Sequence, residues 1–175
     1  QRVEEPFYEQ VVGLYSRKCN PIDELPEGST VAIQNDAVNR DRALKMLSDQ
    51  NLLSLDPEAG KDGSVYNITD IVENPKNINF KEVAGETLVR ALDDADAAIL
   101  QGLYAKQADF SPEDALAQYD REDNINYAIV LVAKEGNETL DWAKAVHECL
   151  QTKAAVDKIA ETTNGCWIPL FEIKN

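Results

Sequence analysis

Short apolar runs alternate along the chain with segments in which apolar residues recur at helical spacing. Thr30–Gln34 follows a turn and predicts a buried strand, and the apolar residues within 43–47 predict a helix directly after it. Further strands are predicted at Ile78–Val83 and Ala97–Leu100. A nearly continuous apolar run at Tyr127–Ala133 predicts a central strand, because such a strand is buried on both faces. The alternation of strands and helices predicts an α/β fold.

The two ends of the chain show the same pattern. Pro6–Tyr15 predicts one strand entering the fold. Two helices are predicted near the other end, the second of them capped by Thr152 and followed by Gly165. The first of these helices is expected to bury one apolar face, formed by Trp142, Val146, Cys149 and Leu150. Trp142 and Trp167 are both expected in the core.

Charge narrows the range of partners. The chain has 175 residues, of which 43% are hydrophobic, so it can form a core, and its formal net charge is −15. This excess of negative charge disfavours nucleic acid and anionic membrane surfaces as partners, since both are polyanions.

Residues that carry chemistry are sparse. The one histidine, His147, lies in a helical pattern away from any cysteine cluster and predicts packing or surface exposure. Cys19, Cys149 and Cys166 form either one disulfide and a free thiol or three small apolar side chains. The acidic turn 93–96 lacks the spacing of a calcium loop. No nucleophile, phosphate-loop or dinucleotide motif is present, so no enzyme activity, metal or cofactor is predicted.

One candidate binding residue stands out, Arg42. It is expected in the first turn of the helix after Thr30–Gln34, with Asp36 or Asn39 as the N-cap. Unpaired backbone N–H groups and the helix dipole favour an anion there, and a guanidinium adds two donors that match a carboxylate. The alternative is an ordinary strand–helix unit whose arginine is a solvated surface residue.

The segment around this arginine reads Asn35-Asp36-x-x-Asn39-x-x-Arg42-Ala43-Leu44. It resembles the NlpA/MetQ-type methionine-binding lipoproteins, which are the substrate-binding proteins of bacterial ABC importers. The resemblance continues, in order, through four further segments: residues 13–18, 22–28, 70–77 and 90–94. It implies a two-lobed, type II periplasmic-binding-protein fold that holds its ligand between the lobes.

The resemblance also implies which residues bind the ligand. Arg42 is expected to bind the α-carboxylate, with Asn39 beside it. A family asparagine on a strand matches Gln101, which keeps an amide. A second family asparagine has no match at its own position, and Asn126 replaces it only if the register shifts. Tyr8 is expected to form a wall for an apolar ligand side chain.

On the same pattern, residues 20–119 form the second lobe, and residues 1–19 and 120–175 belong to the first. The opening βαβα segment of the family has no counterpart in this sequence, so the first lobe is incomplete. The strand at Tyr127–Ala133 is therefore expected to lack a neighbour. We expect either that the native protein carries the segment upstream of Gln1 or that the chain self-associates through this strand.

The function implied by the resemblance is extracytoplasmic binding of methionine, or of a related amino acid or short peptide, for an ABC importer permease. A lipid anchor upstream of Gln1 is expected to hold the protein at the membrane. The alternative is a truncated or degenerate member that acts as an interaction domain without a small ligand.

Overall fold

The computed structural model describes residues 1–119 and 125–173. The chain forms two compact units. The first unit contains Gln1–Val11 and the described residues after Tyr119, and the second is Val12–Tyr119. The predicted boundary at residues 19 and 20 differs from the observed one because Val12–Tyr15 pairs with strands of the second unit. The assignment of these units to the lobes of a binding protein stays a prediction.

The regular elements of the chain are numbered in sequence order. The strands are β1 (Arg2–Gln10), β2 (Val12–Tyr15), β3 (Thr30–Gln34), β4 (Ser54–Leu55), β5 (Ile71–Glu73), β6 (Asn79–Val83), β7 (Ala97–Gln101), β8 (Ala117–Gln118), β9 (Ile129–Val132) and β10 (Trp167–Pro169). The helices are α1 (Ala37–Asp49), α2 (Leu88–Ala91), α3 (Gly102–Gln107), α4 (Asp141–Leu150) and α5 (Lys153–Thr163).

A five-stranded sheet organises the second unit, with strand order β6-β3-β7-β2-β8. Strand β3 runs parallel to both β6 and β7, whereas β2 is antiparallel to β7 and β8. Ala32 of β3 and Leu100 of β7 belong to a buried cluster with Leu88 of α2 and Ala105 of α3. Because neighbouring residues of a strand face opposite sides, Val31 and Ile33 lie on the other face of β3.

A three-stranded antiparallel sheet, with order β10-β1-β9, forms the first unit together with α4 and α5. Its core contains Phe7, Tyr8 and Val156. The prediction that Tyr127–Ala133 is a central strand is wrong in this sheet, because among the described residues β9 pairs only with β1 and lies at an edge. The side chain of Val132 is 68% exposed, so the apolar run is not buried on both faces.

The predicted strand Pro6–Tyr15 is in fact two strands that belong to different units. Strand β1 ends at Gln10, and the N–H of Val11 then donates to the carbonyl of Cys166 instead of continuing a ladder. The sequence analysis joined the apolar residues on either side of Glu9 and Gln10 into one strand, although the break follows these two polar residues.

Helix α4 buries a face other than the one predicted. Its buried residues are Ala143 and His147, four positions apart, whereas Trp142 is 55% exposed. The ring of His147 packs edge-on against Phe7, and its Nε2 lies 3.1 Å from the carbonyl oxygen of Glu5. A small alanine and a satisfied histidine therefore fill the space next to β1.

The caps of α5 are as predicted. The side chain of Thr152 accepts a hydrogen bond from the N–H of Ala155, and the helix ends at the left-handed Asn164 before Gly165. The three cysteines are free thiols. Within residues 1–119 and 125–173, no helix is long and apolar enough to cross a membrane, and no group of three His, Cys, Asp or Glu side chains could hold a metal ion.

Candidate functional site

The site begins at the N-terminus of α1, where the carboxylate of Asp36 caps the helix by accepting the backbone N–H of Asn39 at 3.0 Å. The helix therefore starts at Ala37, and Arg42 lies in its second turn rather than in the first turn as predicted. Asn39 and Arg42 are three residues apart and so share one face of the helix.

That face borders a small cavity of about 10 Å³ within the second unit. Its lining residues come from β2, β3, α1 and β7, and they are Val12, Gln34, Asn39, Arg42, Ile99 and Gln101. Gln34 ends β3 and Gln101 ends β7. Because β3 and β7 are parallel neighbours, their carboxyl ends meet at one edge of the sheet, which is where open α/β sheets bind ligands.

A chain of side-chain hydrogen bonds connects three amides at this cavity. The Nδ2 group of Asn39 donates to both carboxylate oxygens of Asp36, at 3.1 and 3.0 Å, and to Oε1 of Gln34 at 3.2 Å. The Nε2 group of Gln101 donates to Oδ1 of Asn39 at 2.7 Å. These bonds hold the two glutamines on opposite sides of Asn39.

Arg42 is the charged group of the cavity and is only 3% exposed. Its Cζ lies 5.2 Å from the centre of the Tyr119 ring, a cation–π distance. Arg40, two positions earlier, takes a different direction: it forms an ion pair with Glu82 at 3.1 Å and donates to the carbonyl of Asn35. The two arginines therefore have different environments, and the reading of Arg42 as a solvated surface residue is wrong.

The chemistry of the cavity suits binding of an anion. One guanidinium and three neutral amides line it, with two apolar side chains. None of these groups acts as a nucleophile or a general base near neutral pH. A carboxylate would find a permanent positive charge and amide donors there, without a neighbouring acidic side chain among the lining residues.

The other two predicted site residues lie in the first unit. Tyr8 is fully buried, its ring contacts those of Trp167 and Phe171, and its hydroxyl group lies 3.5 Å from the carbonyl of Leu150. Burial raises the pKa of Tyr8. Its packing leaves no accessible surface on the ring for a ligand. Asn126 is exposed in a short 3₁₀ turn. Ligand contacts by either residue stay predictions.

The structure thus brings together three of the predicted residues, Arg42, Asn39 and Gln101, and adds Gln34. Sequence reasoning treated Gln34 only as the last residue of an apolar strand. A signal was present, however, since a polar side chain at the carboxyl end of a buried parallel strand lies where ligands bind.

A larger, open cavity of about 340 Å³ lies in the first unit. Its lining residues are Glu4, Glu5, Lys144, His147, Glu148 and Gln151. Three carboxylates against one ammonium group disfavour an anionic ligand, so this cavity does not suit the carboxylate chemistry that the Arg42 cavity offers.

Solved structures of substrate-binding proteins share this fold. A nutrient-binding protein from Burkholderia cenocepacia bound to methionine superposes with a TM-score of 0.86 at 30% identity, over 95% of this chain and 68% of that one. The substrate-binding protein of a methionine transporter from Streptococcus pneumoniae gives a TM-score of 0.83 at 25% identity, over 97% and 67% of the two chains. The chain therefore has the α/β fold of periplasmic substrate-binding proteins.

Sequence comparison identifies the family. The family profile described as NlpA lipoprotein matches residues 7–171. The methionine-binding lipoprotein MetQ of Bacillus subtilis (strain 168) is 30% identical over 170 residues, which is 96% of this chain and 60% of that protein. The chain belongs to the NlpA lipoprotein family, and it spans about 60% of the length of this curated relative.

Proposed function

We propose that the protein is the substrate-binding component of an ABC importer and binds methionine, or a related amino acid or short peptide, through the α-carboxylate. The observation that carries the proposal is the buried guanidinium of Arg42 in a cavity lined otherwise by amides and apolar groups. Membership of the NlpA lipoprotein family supports it, as do the names of relatives that bind methionine.

Each residue of the cavity has a role in this proposal. Arg42 forms a two-pronged, charge-assisted pair with the carboxylate, and the ring of Tyr119 supports its planar group. Asn39 and Gln101 add polar contacts. The cavity has room for about one water molecule, so binding of an amino acid requires its side chains to move apart.

The proposal extends to location and partners. Relatives are named as lipoproteins, and one structural neighbour is named as part of a methionine transporter, which supports an extracytoplasmic, lipid-anchored protein that delivers ligand to an importer permease. The lipid anchor would lie upstream of Gln1. The net charge of −15 argues against nucleic acid as a partner.

An interaction domain without a small ligand is the second candidate. The observation in its favour is the apolar surface of the first unit, where β9 is at a sheet edge and Trp142 is exposed. This surface suits another polypeptide rather than an amino acid.

Isothermal titration calorimetry on the full-length protein tests the first candidate. The panel contains amino acids and dipeptides, with methioninamide as the matched compound that lacks the carboxylate. We expect methionine or a related compound to bind and its amide to bind far more weakly. The absence of binding by every α-carboxylate compound would contradict the proposal and favour the interaction domain.

A further inference from the structure

We propose that Gln34 is a ligand-binding residue and that its Nε2 group donates to the ligand carboxylate alongside Arg42. This inference rests on the proposed function and extends it, because it assigns a second carboxylate donor to the site.

The amide of Asn39 has an orientation that is fixed by its neighbour, Asp36. The carboxylate of Asp36 is only an acceptor, so the atom of Asn39 that faces it must be Nδ2. The same Nδ2 faces Gln34, which must therefore turn its Oε1 toward Asn39. The opposite atom, Oδ1, faces Gln101, which must turn its Nε2 toward Asn39.

The orientation of Asn39 thus determines which polar atom of each glutamine remains available to a ligand. Gln34 keeps its Nε2 donor group, and Gln101 keeps its Oε1 acceptor. Among the described residues, neither of these atoms has a hydrogen-bond partner. A donor next to Arg42 suits the carboxylate of an amino acid, and an acceptor suits its ammonium group.

Burial strengthens the case for Gln34. The residue is only 9% exposed and lines the same cavity as Arg42. Its Nε2 group donates to none of the described residues, so it can donate to a ligand oxygen in this cavity.

Two substitutions distinguish a Gln34 that donates to the ligand carboxylate from a Gln34 that only holds Asn39 in place. Gln34→Glu keeps an oxygen that accepts from Asn39 but replaces the donor by a negative charge. Gln34→Met loses both the donor and the acceptor. If Gln34 donates to the carboxylate, Gln34→Glu weakens methionine binding more than Gln34→Met does. If Gln34 only holds Asn39 in place, the order is reversed.

Calorimetry with methionine on the full-length protein measures this order. We expect Gln34→Met to weaken binding about 10- to 100-fold and Gln34→Glu to weaken it further, while melting temperatures report folding. Gln107→Glu, an exposed residue of α3, is the matched charge control and should bind like wild type.

Each result has one meaning. Wild-type affinity in Gln34→Met, or tighter binding by Gln34→Glu than by Gln34→Met, would overturn the inference while leaving the proposed function intact. If Gln34→Glu does not fold, wild-type affinity in Gln34→Met still overturns the inference. Failure of the wild-type protein to bind methionine or any other α-carboxylate compound would instead contradict the proposed function.

Discussion

At the scale of single residues, the burial of Arg42 is the most informative feature. A charged group that is only 3% exposed is costly to remove from water, so its surroundings must compensate the charge. The Tyr119 ring supplies part of that compensation. In the proposed function, a ligand carboxylate forms a charge-assisted pair with this guanidinium.

Replacing Arg42 by alanine should abolish binding of methionine, whereas Arg40→Ala should change it little. Loss of a buried charge-assisted pair costs roughly 1.5–3 kcal/mol or more, against under about 1 kcal/mol for an ion pair away from the ligand. Arg40 is the matched control because it lies on the same helix and pairs with Glu82. Calorimetry with both variants measures the difference, and equal effects would show that Arg42 does not bind the carboxylate.

A methyl group added at Gly85 should disturb the Arg42 cavity through Gln34, one of its lining residues. The added Cβ would lie 2.8 Å from the hydroxyl oxygen of Tyr104 and 3.0 Å from Oε1 of Gln34, closer than side chains normally approach. We expect Gly85→Ala to destabilise the protein by about 1 kcal/mol or more and to weaken methionine binding. A cycle with Gln34→Ala checks the cause, since the second substitution should relieve part of the strain. Strict additivity would argue against contact between the two positions.

At the scale of elements, prediction from sequence succeeded where the signals were local. A β-branched run located β3, and helical spacing after a cap at Asp36 or Asn39 located α1, which the structure shows to be capped by Asp36. Gln101 came from family resemblance. Gln34 was missed because a polar residue at the end of β3 becomes a candidate only once β3 is known to pair in parallel with β7.

Prediction failed where burial depends on partners remote in the sequence. The apolar face of α4 that contains Trp142 was expected inside, yet Ala143 and His147 face β1. Similarly, the composition of β9 predicts a central strand, but its position in a sheet depends on which strands lie beside it. Periodicity specifies which residues share a face and does not specify what covers that face.

Asp96, the residue before β7, accepts a hydrogen bond from the first residue of β3, and its protonation should weaken this connection between the two strands. The N–H of Thr30 donates to its carboxylate at 2.8 Å and Nζ of Lys18 at 3.1 Å, and these hydrogen bonds, the one from Thr30 first, hold the pKa of Asp96 below its usual value of 3.8. The folded state therefore gains stability from the charged form above the unfolded pKa. That gain is lost as the pH falls from about 4 through the lower folded pKa.

We accordingly expect Asp96→Asn to lower the free energy of unfolding by about 1 kcal/mol at neutral pH, and the difference from wild type to shrink at acidic pH. Urea titrations at a series of pH values measure it. Asp93→Asn is the control, because Asp93 is exposed and its pair with Arg17 should contribute under about 1 kcal/mol. A difference that is constant with pH would contradict a charge-dependent role for Asp96.

At the scale of the whole molecule, the two units differ in how well their apolar groups are covered. The second unit encloses the buried clusters around its sheet. The first unit has an edge strand, β9, whose sequence carries no charge or proline that would discourage pairing with another chain. Trp142 and Val146 add exposed apolar surface on α4.

The chain of residues 1–175, expressed alone, should therefore self-associate, and Val132→Lys should reduce the association. A lysine on an edge strand opposes strand addition because its charge would have to be buried. Val38→Lys is the matched control, since Val38 is similarly exposed but lies on α1 of the second unit. Multi-angle light scattering measures the mass in each case. A wild-type chain that is a stable monomer would contradict the prediction and the assignment of the first unit to an incomplete lobe.

The hydrogen bond from the N–H of Tyr119 to the carbonyl of Val12, at 3.0 Å, has a consequence for protein engineering. It places the first and last residues of the second unit side by side, so Val12–Tyr119 is one uninterrupted insert with adjacent ends. Inserts of this kind tolerate excision and transplantation. We expect Val12–Tyr119, expressed alone, to give a dispersed NMR spectrum and a cooperative melting transition. A spectrum typical of an unfolded chain would contradict this. A folded insert could be transferred into another protein together with the Arg42 cavity.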